Sequence, residues 1–448
     1  MASRSSGSLA AVLQSMGGRI VFTFVTAATG IITARALHPA GRGELAALGV
    51  WPNFLGGLLT FGLPSAFIFW SRSEPSRRHS FLWASMPITL VSGALATLTG
   101  IIGIPYWLAK YPPHIVHMAQ LFMLNALIVL LIANARAACE SEGDFWASSV
   151  ALCLPQILAL VGLLILVAMH SVTPVTAAAA YIIGGVPACI FLLSRQRHHF
   201  QGRPTALASA TRQLLGYGIR SYGVDICGAL SLYADQAIVI RLLSPGAMGT
   251  YVVALSLSRV MGMIHQAVAA VLFPKAVSLG ARELIAVTGR AVRISTVLTL
   301  LSGLGVALLG PVLLSVLYGR EYRGASAILD VLILEMTVTG ATLVLTRPHM
   351  ALGRPGFVTL LQSSGLALSL PLIIVLVPRF GVLGAACALL SASTLRFAFC
   401  LASFPLVLKQ KMPELRLRRS DFAPLVKRLR DRMRELRKRN PAPETLSA

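Results

Sequence analysis

Along this chain, long apolar stretches alternate with short polar punctuation. The stretch ISTVLTLLSGLGVALLGPVLLSV, residues 294–316, runs 23 residues without a charge. About 20 such residues let a helix cross the hydrocarbon core of a bilayer. Comparable stretches lie near 13–35, 45–69, 81–108, 115–138, 147–169, 174–194, 217–243, 248–273, 294–317, 325–346, 356–377 and 381–408. They are continuous, without the period-two alternation of a membrane β-barrel. The pattern predicts an all-α integral membrane protein of about twelve transmembrane helices.

Composition agrees. Hydrophobic residues make up 56% of the 448 and charged residues only 12%, against about 25% charged in an ordinary soluble domain. So few charges could not cover that much apolar surface in water, so lipid is the solvent for most of the chain. Gln14 and Arg19 interrupt the apolar core that a cleavable signal peptide needs, which predicts a first helix that stays in place. The cysteines 139, 153, 189, 227, 387 and 400 are scattered and form no C-x-x-C. They read as small packing residues, neither a disulfide frame nor a metal site.

The formal net charge of +23 is unevenly placed. Twelve spans put both termini on one face. The loops of that face hold 14 Lys and Arg, from Arg72 to Arg354, and the opposite loops 7, from Arg35 to Arg379. The positive-inside bias then puts both termini in the cytoplasm. Between Lys409 and Arg439 the tail adds 13 basic residues against 4 acidic ones. There PLVKRLRDRMRELRK spaces Leu425, Leu429, Met433 and Leu436 on one helical face, as in a helix lying on anionic lipid. A solvated topology anchor fits the same residues. No base-reading fold accompanies this charge, so nucleic acid is not an expected partner.

The chain also repeats itself. ITARALHPAGRGELAAL (32–48) and IVIRLLSPGAMGTYVVA (238–254) both end an apolar run in Arg-x-Leu-x-Pro-x-x-x-Gly, 206 residues apart. NARAACESEGDF (134–145) and TRPHMALGRPGF (346–357) occupy equivalent turns, one residue out of register. Six spans per half make both halves enter the membrane alike, as parallel repeats about an axis along the membrane normal. The expected organisation is a six-helix lobe over 1–200, a second over 201–408, and a basic, partly amphipathic tail over 409–448. Duplicated bundles of this kind suit a carrier that rocks one half against the other.

Charges inside spans cost several kcal/mol and usually face water or a partner. Segment 1 aligns Arg19, Thr23, Thr26, Gly30 and Thr33 on one face, and segment 2 aligns Gly49, Asn53, Gly56, Thr60 and Pro64. Segment 7 carries Tyr222, Asp225, Tyr233, Asp235 and Gln236, segment 8 Arg259 and Gln266, and segment 10 Glu335, Thr339, Thr342 and Thr346. Two readings stay open: a lining for a central cavity, or polar glue between helices. The small residues favour glue, while Arg19, Asp225 and Arg259 favour the cavity. Arg35, Arg241, Arg136 and Arg347 lie near helix ends, where long side chains also snorkel to the interface. His265 and His349 read as structural. Guanidinium groups bind phosphate bidentately, so a cationic cavity implies an anionic cargo. In this reading Asp225 pairs with Arg259 when the carrier is empty and yields to phosphate when it is loaded.

At these residues the chain resembles a known family. ARALHPAGRGELAALGVWPNFLGGLLTFGLPSAFIFW (34–70) is similar to the second-helix region of Wzx-like polysaccharide-biosynthesis flippases, a branch of the multidrug/oligosaccharidyl-lipid/polysaccharide exporter superfamily. SLYADQAIVIRLLSPGAMGTYVVALSLSRVM (231–261) resembles the seventh and eighth helices there, with Asp235 at the usual acidic position, and MALGRPGFVTLLQ (350–362) the turn before the eleventh. The resemblance implies two six-helix bundles in a V and a transporter rather than an enzyme, without cofactor or metal. It implies a bacterial inner-membrane flippase for an undecaprenyl-diphosphate-linked saccharide, working beside a polysaccharide polymerase and glycosyltransferases. Arg19, Arg259, Asn53, Arg35, Arg241, Arg136 and Arg347 are then the substrate-binding candidates, and Asp225, Asp235 and Glu335 the ion-coupling or charge-pair candidates. A cation-coupled drug or small-molecule exporter and a lipid II flippase share the fold and remain alternatives. No zinc motif, P-loop or nucleophile elbow supports an enzyme.

Overall fold

A computed structural model describes residues 2–200, 206–276 and 280–417, with backbone alone for 2–16, 19–20, 224, 270–276, 281–282 and 355. Every regular element among them is helical. The first half comprises α1 (Ala2–Leu58), α2 (Leu63–Ser73), α3 (Arg78–Trp107), α4 (Pro113–Phe122), α5 (Asn125–Glu142), α6 (Phe145–Ala168), α7 (Pro174–Arg195) and the short α8 (Arg197–Phe200). The second comprises α9 (Leu207–Leu242), α10 (Pro245–Ala276), α11 (Ala281–Leu313), α12 (Ser326–Leu345), α13 (Arg347–Ala351) and α14 (Pro355–Leu406). A π-helical turn, Leu314–Tyr318, follows α11.

By length and apolarity, nine described helices can cross a membrane, or ten when the two bent parts of α9 count as one span. The protein is a multi-pass membrane protein. The difference from the expected twelve arises largely at two breaks. At 57 residues α1 would be about 86 Å long if straight, far more than one bilayer core. It breaks at His38, whose φ of 58° leaves the helical region. The cause is local: Pro39 clashes with a helical residue before it and is itself suited to the first turn of a new helix. The matching break between α9 and α10 falls at the matching proline, Pro245, so both copies of the motif end one helix and begin another. The 52-residue α14 breaks at Gly381, where φ is 58° and ψ −136°, a conformation only glycine adopts cheaply.

The breaks at His38, Leu243 and Gly381 lie at what we term the far face; the opposite, terminal face carries the turns after α5 and α13. The largest apolar core lies toward the far face and draws on both halves. Leu37, Leu48, Trp51, Ile104 and Met123 pack there with Val239, Tyr251, Tyr322, Leu329 and Ile373. Toward the terminal face the cores separate. One, around Ile285, Leu345, Leu361 and Phe404, belongs to the second half alone. Another, around Ala135, Ala147 and Leu192, belongs to the first alone. A third joins Phe67 and Phe81 to Ala210 and Leu214, because α9 bends by 50° between Gly223 and Asp225 and its first part crosses onto the first half. Large side chains such as Ile102, Leu308 and Leu360 stand exposed on the outer surface, as lipid solvation requires.

The predicted tail helix and residues 201–205, where the second lobe is expected to begin, lie outside the described residues. The cysteines are free and mostly buried. Both singled-out histidines are fully buried: His265 Nδ1 lies 3.1 Å from Thr299 Oγ1 and His349 Nε2 2.8 Å from Ser403 Oγ.

Candidate functional site: the seam and a buried charge cluster

The two copies of the repeated motif meet each other. A methyl group on Gly43 would lie 1.8 Å from the Pro245 carbonyl oxygen, and one on Gly249 1.9 Å from that of Pro39. No other residue type permits this crossing, and its reciprocity is the repeat expressed in space. The arginines of the motif straddle the same seam. Arg35 Nε donates to the Leu317 carbonyl at 2.9 Å, and its Nη2 to that of Val316. Arg241 Nη1 donates to the Tyr106 carbonyl, with the guanidinium carbon 3.6 Å from the centre of the Tyr106 ring. Lys110 Nζ donates to the Leu242 carbonyl at 2.5 Å, the Tyr322 hydroxyl to that of Ala34 at 3.4 Å, and His38 Nδ1 lies 3.2 Å from the Glu321 carboxylate. Arg35 and Arg241 thus sit at the far-face seam, engaged by the opposite half.

Farther in, α1 and α9 touch again. The Tyr222 hydroxyl donates to the Leu58 carbonyl, and Thr60 Oγ1 donates to Asp225 Oδ2 at 3.2 Å. A methyl on Gly62 would lie 2.1 Å from the Gly218 oxygen. The expected Asp225–Arg259 pair is therefore corrected. Asp225 turns at the bend of α9 toward Thr60 of the first half, while Arg259 lies in electrostatic reach of Tyr233, Asp235 and Glu335.

Those neighbours form a cluster within the second half. Asp235 Oδ2 accepts from the Tyr251 hydroxyl at 3.0 Å, while its Oδ1 is buried without a partner. Glu335 is buried, and its Oε1 accepts from Thr339 at 2.6 Å and Ser393 at 2.7 Å; its Oε2 has no partner. Arg396 Nη2 donates to Thr339 Oγ1 at 2.8 Å, and its Nε is buried and unpaired. Arg259 is exposed at the edge of the cluster. Two carboxylates with orphaned oxygens, beside two guanidiniums of which one reaches solvent or lipid, leave charge in low dielectric incompletely compensated. Such an arrangement can trade partners.

The remaining candidates scatter. Asn53 donates to the Gly49 carbonyl of its own helix at 2.8 Å. Arg136 is held inside the first half by Ser148 at 3.1 Å and Glu140 at 3.4 Å. Arg347, in the equivalent turn, has a buried Nε without a partner. The side chain of Arg19 lies outside the described residues. Thr33 is fully buried and donates to the Thr29 carbonyl at 2.7 Å, which suits packing. Sequence reasoning missed Arg396, although a charge in the middle of segment 12 is the same signal that singled out Arg259. A cleft of about 410 Å³ is lined by Ala208, Ser209, Arg212 and Gln213 and touches none of the buried carboxylates.

Residues 32–327, about two-thirds of the chain, match the family model described as "Polysaccharide biosynthesis protein". The chain belongs to that family. A curated relative, the probable low-salt glycan biosynthesis flippase Agl15 of Haloferax volcanii, is 25% identical over 200 residues. That match spans 43% of this chain and only 42% of the relative. Among solved structures, a lipid II flippase MurJ in an inward closed conformation superposes with a TM-score of 0.73 at 15% identity, covering 88% of this chain and 87% of the other. An inward-facing multidrug resistance MATE transporter of the MOP superfamily gives 0.65 at 16% identity, covering 87% and 96%. This polysaccharide biosynthesis family member therefore has the fold of MOP superfamily transporters.

Proposed function

We propose that this protein flips a polyprenyl-diphosphate-linked oligosaccharide, a repeat unit of O-antigen, capsule or exopolysaccharide, across the bacterial inner membrane by alternating access. Both termini are cytoplasmic in this reading, and the far face is the outer one. The observation that carries it is Arg259: an exposed guanidinium within electrostatic reach of the half-buried Asp235 and the buried Glu335, each of which keeps one buried oxygen without a partner. A diphosphate offers Arg259 a better partner than either carboxylate, because it presents several charged oxygens to the guanidinium fork. Once Arg259 turns to the cargo, Asp235 and Glu335 lose a counter-charge in low dielectric, and a proton or cation restores it. Cargo and coupling ion are thereby linked through one side chain. The proposed pairing thus passes from Asp225 to Asp235 and Glu335; Asp225 instead joins the halves through Thr60.

The largest core shared by the halves lies at the far face, while at the terminal face the first part of α9 alone carries a core across to the first half, an asymmetry that supports entry from the cytoplasmic side. Arg19, Asn53 and Arg347 are assigned to the path of the headgroup, while the prenyl tail stays in lipid. Arg136 is committed to Glu140 and Ser148 in this state. We assign the basic tail to anionic lipid, and propose a polysaccharide polymerase and glycosyltransferases as partners.

A second reading has its own support, since buried carboxylates also suit a cation-coupled exporter of cationic small molecules. Proteoliposomes separate the two. Inversion of a lipid-diphosphate saccharide, read by accessibility of its sugar to an external enzyme, with no uptake of a cationic dye, is the expected result. Dye transport without saccharide inversion would reverse the assignment.

A further inference from the structure

We propose that Arg35 and Arg241 form a reciprocal latch that holds the far face shut, each closing the carbonyl end of a helical segment in the opposite half. The inference rests on the carrier reading above and names the device by which one of its two states is held.

The last carbonyls of a helix have no partner within it and carry the negative end of its dipole. Tyr106 lies one residue from the end of α3, and Val316 and Leu317 lie in the π-helical turn after α11. These are corresponding places in the two halves, and an arginine from the other half reaches each of them. Lys110 on Leu242 and Tyr322 on Ala34 add a second reciprocal pair of contacts to main-chain carbonyls. Gly43 and Gly249, each eight residues after its motif arginine, cross and bring the backbones together.

The acceptors make this a latch rather than a permanent weld. A guanidinium and a carbonyl that part at the membrane surface are both rehydrated, and no buried carboxylate is stranded. Arg35 is exposed and Arg241 half-buried, so water has access to both as the seam opens. A desolvated ion pair at the same place would have to pay a far larger separation cost.

A cysteine at Ala34, 1% exposed with its carbonyl bound by Tyr322, reports the seam in a chain whose native cysteines are replaced by alanine. Reconstituted vesicles are treated from the far face with a membrane-impermeant maleimide. Hydrogen bonds from charged donors are strong enough that losing both arginines should speed labelling about tenfold or more. We expect that for Arg35→Ala with Arg241→Ala, with an intermediate rate for each single variant. An unchanged rate in the double variant overturns the latch. Should the alanine pair not reach the membrane, Arg35→Lys with Arg241→Lys carries the test, because lysine offers a point charge in place of the planar fork. About threefold faster labelling is then expected, and the parent's rate overturns the proposal. Separately, His38→Cys with Glu321→Cys, bridged by a short bifunctional maleimide, should stop saccharide inversion. Inversion by the bridged protein would defeat the carrier reading while leaving the labelling result to judge the latch.

Discussion

The two halves share a fold motif but treat their charges in opposite ways. In the first half, Glu74, Glu140, Glu142 and Asp144 each pair with an arginine (Arg77, Arg136, Arg78 and Arg195) near the terminal face. Deeper in the described part of this half, the neutral Asn134 donates to Ser85 at 3.0 Å and to Thr89 at 3.2 Å, and its buried Oδ1, without a partner, carries no charge. In the second half, Asp235 and Glu335 keep orphaned oxygens at depth, beside Arg259 and Arg396. Compensated charge holds a scaffold in one arrangement. Uncompensated charge in low dielectric is costly, and it persists where a change of partner is part of the work. In the proposed cycle the first half serves as the frame, and the second carries the exchange.

The sharpest break in this comparison is Arg396. Replacing it with methionine leaves Glu335 with Arg259 alone as a nearby cation, at a cost of about 2–3 kcal/mol, read as a lower melting temperature in detergent. Adding Glu335→Gln should return part of the loss; a double variant as unstable as the sum of the singles would remove the link between them. Next comes the crossing. Gly249→Ala places a methyl 1.9 Å from the Pro39 oxygen and should cost about 1–2 kcal/mol. Gly246→Ala, with nothing within 4 Å of the added carbon, serves as its control.

A third prediction concerns transport. Asp235→Asn should slow saccharide inversion about tenfold, equivalent to about 1.4 kcal/mol, while Asn134→Ala in the first half changes the rate less than about twofold. Equal losses at both positions would erase the proposed division of labour. The smallest effect belongs to a half-buried pair near the terminal face. Arg78→Gln removes a 3.2 Å pair with Glu142 whose side chains are 19% and 28% exposed, and should cost about 1 kcal/mol or less.

Much of this was legible in the order of residues. Continuous apolar runs identify helices in lipid because a span must satisfy its own backbone, and Pro39 and Pro245 mark breaks because proline restricts its neighbour. The repeat foretold that the motifs correspond, though not that they touch. That contact depends on Gly43 and Gly249 meeting at a crossing, and pairing across 206 residues leaves no local periodic trace. Helical spacing gives the face on which Asp225 sits, but not the 50° bend that turns it to Thr60. Arg396 was legible on the cost of a buried charge, but its connection to Glu335 through Thr339 needed three dimensions.

The most direct test sets one side chain against its counterpart in the frame. Proteoliposomes loaded with a polyprenyl-diphosphate saccharide are followed for inversion with the natural chain, Arg259→Gln and Arg78→Gln. The account predicts that Arg259→Gln slows inversion at least about tenfold, with Arg78→Gln close to the natural rate. Equal rates in all three would contradict it.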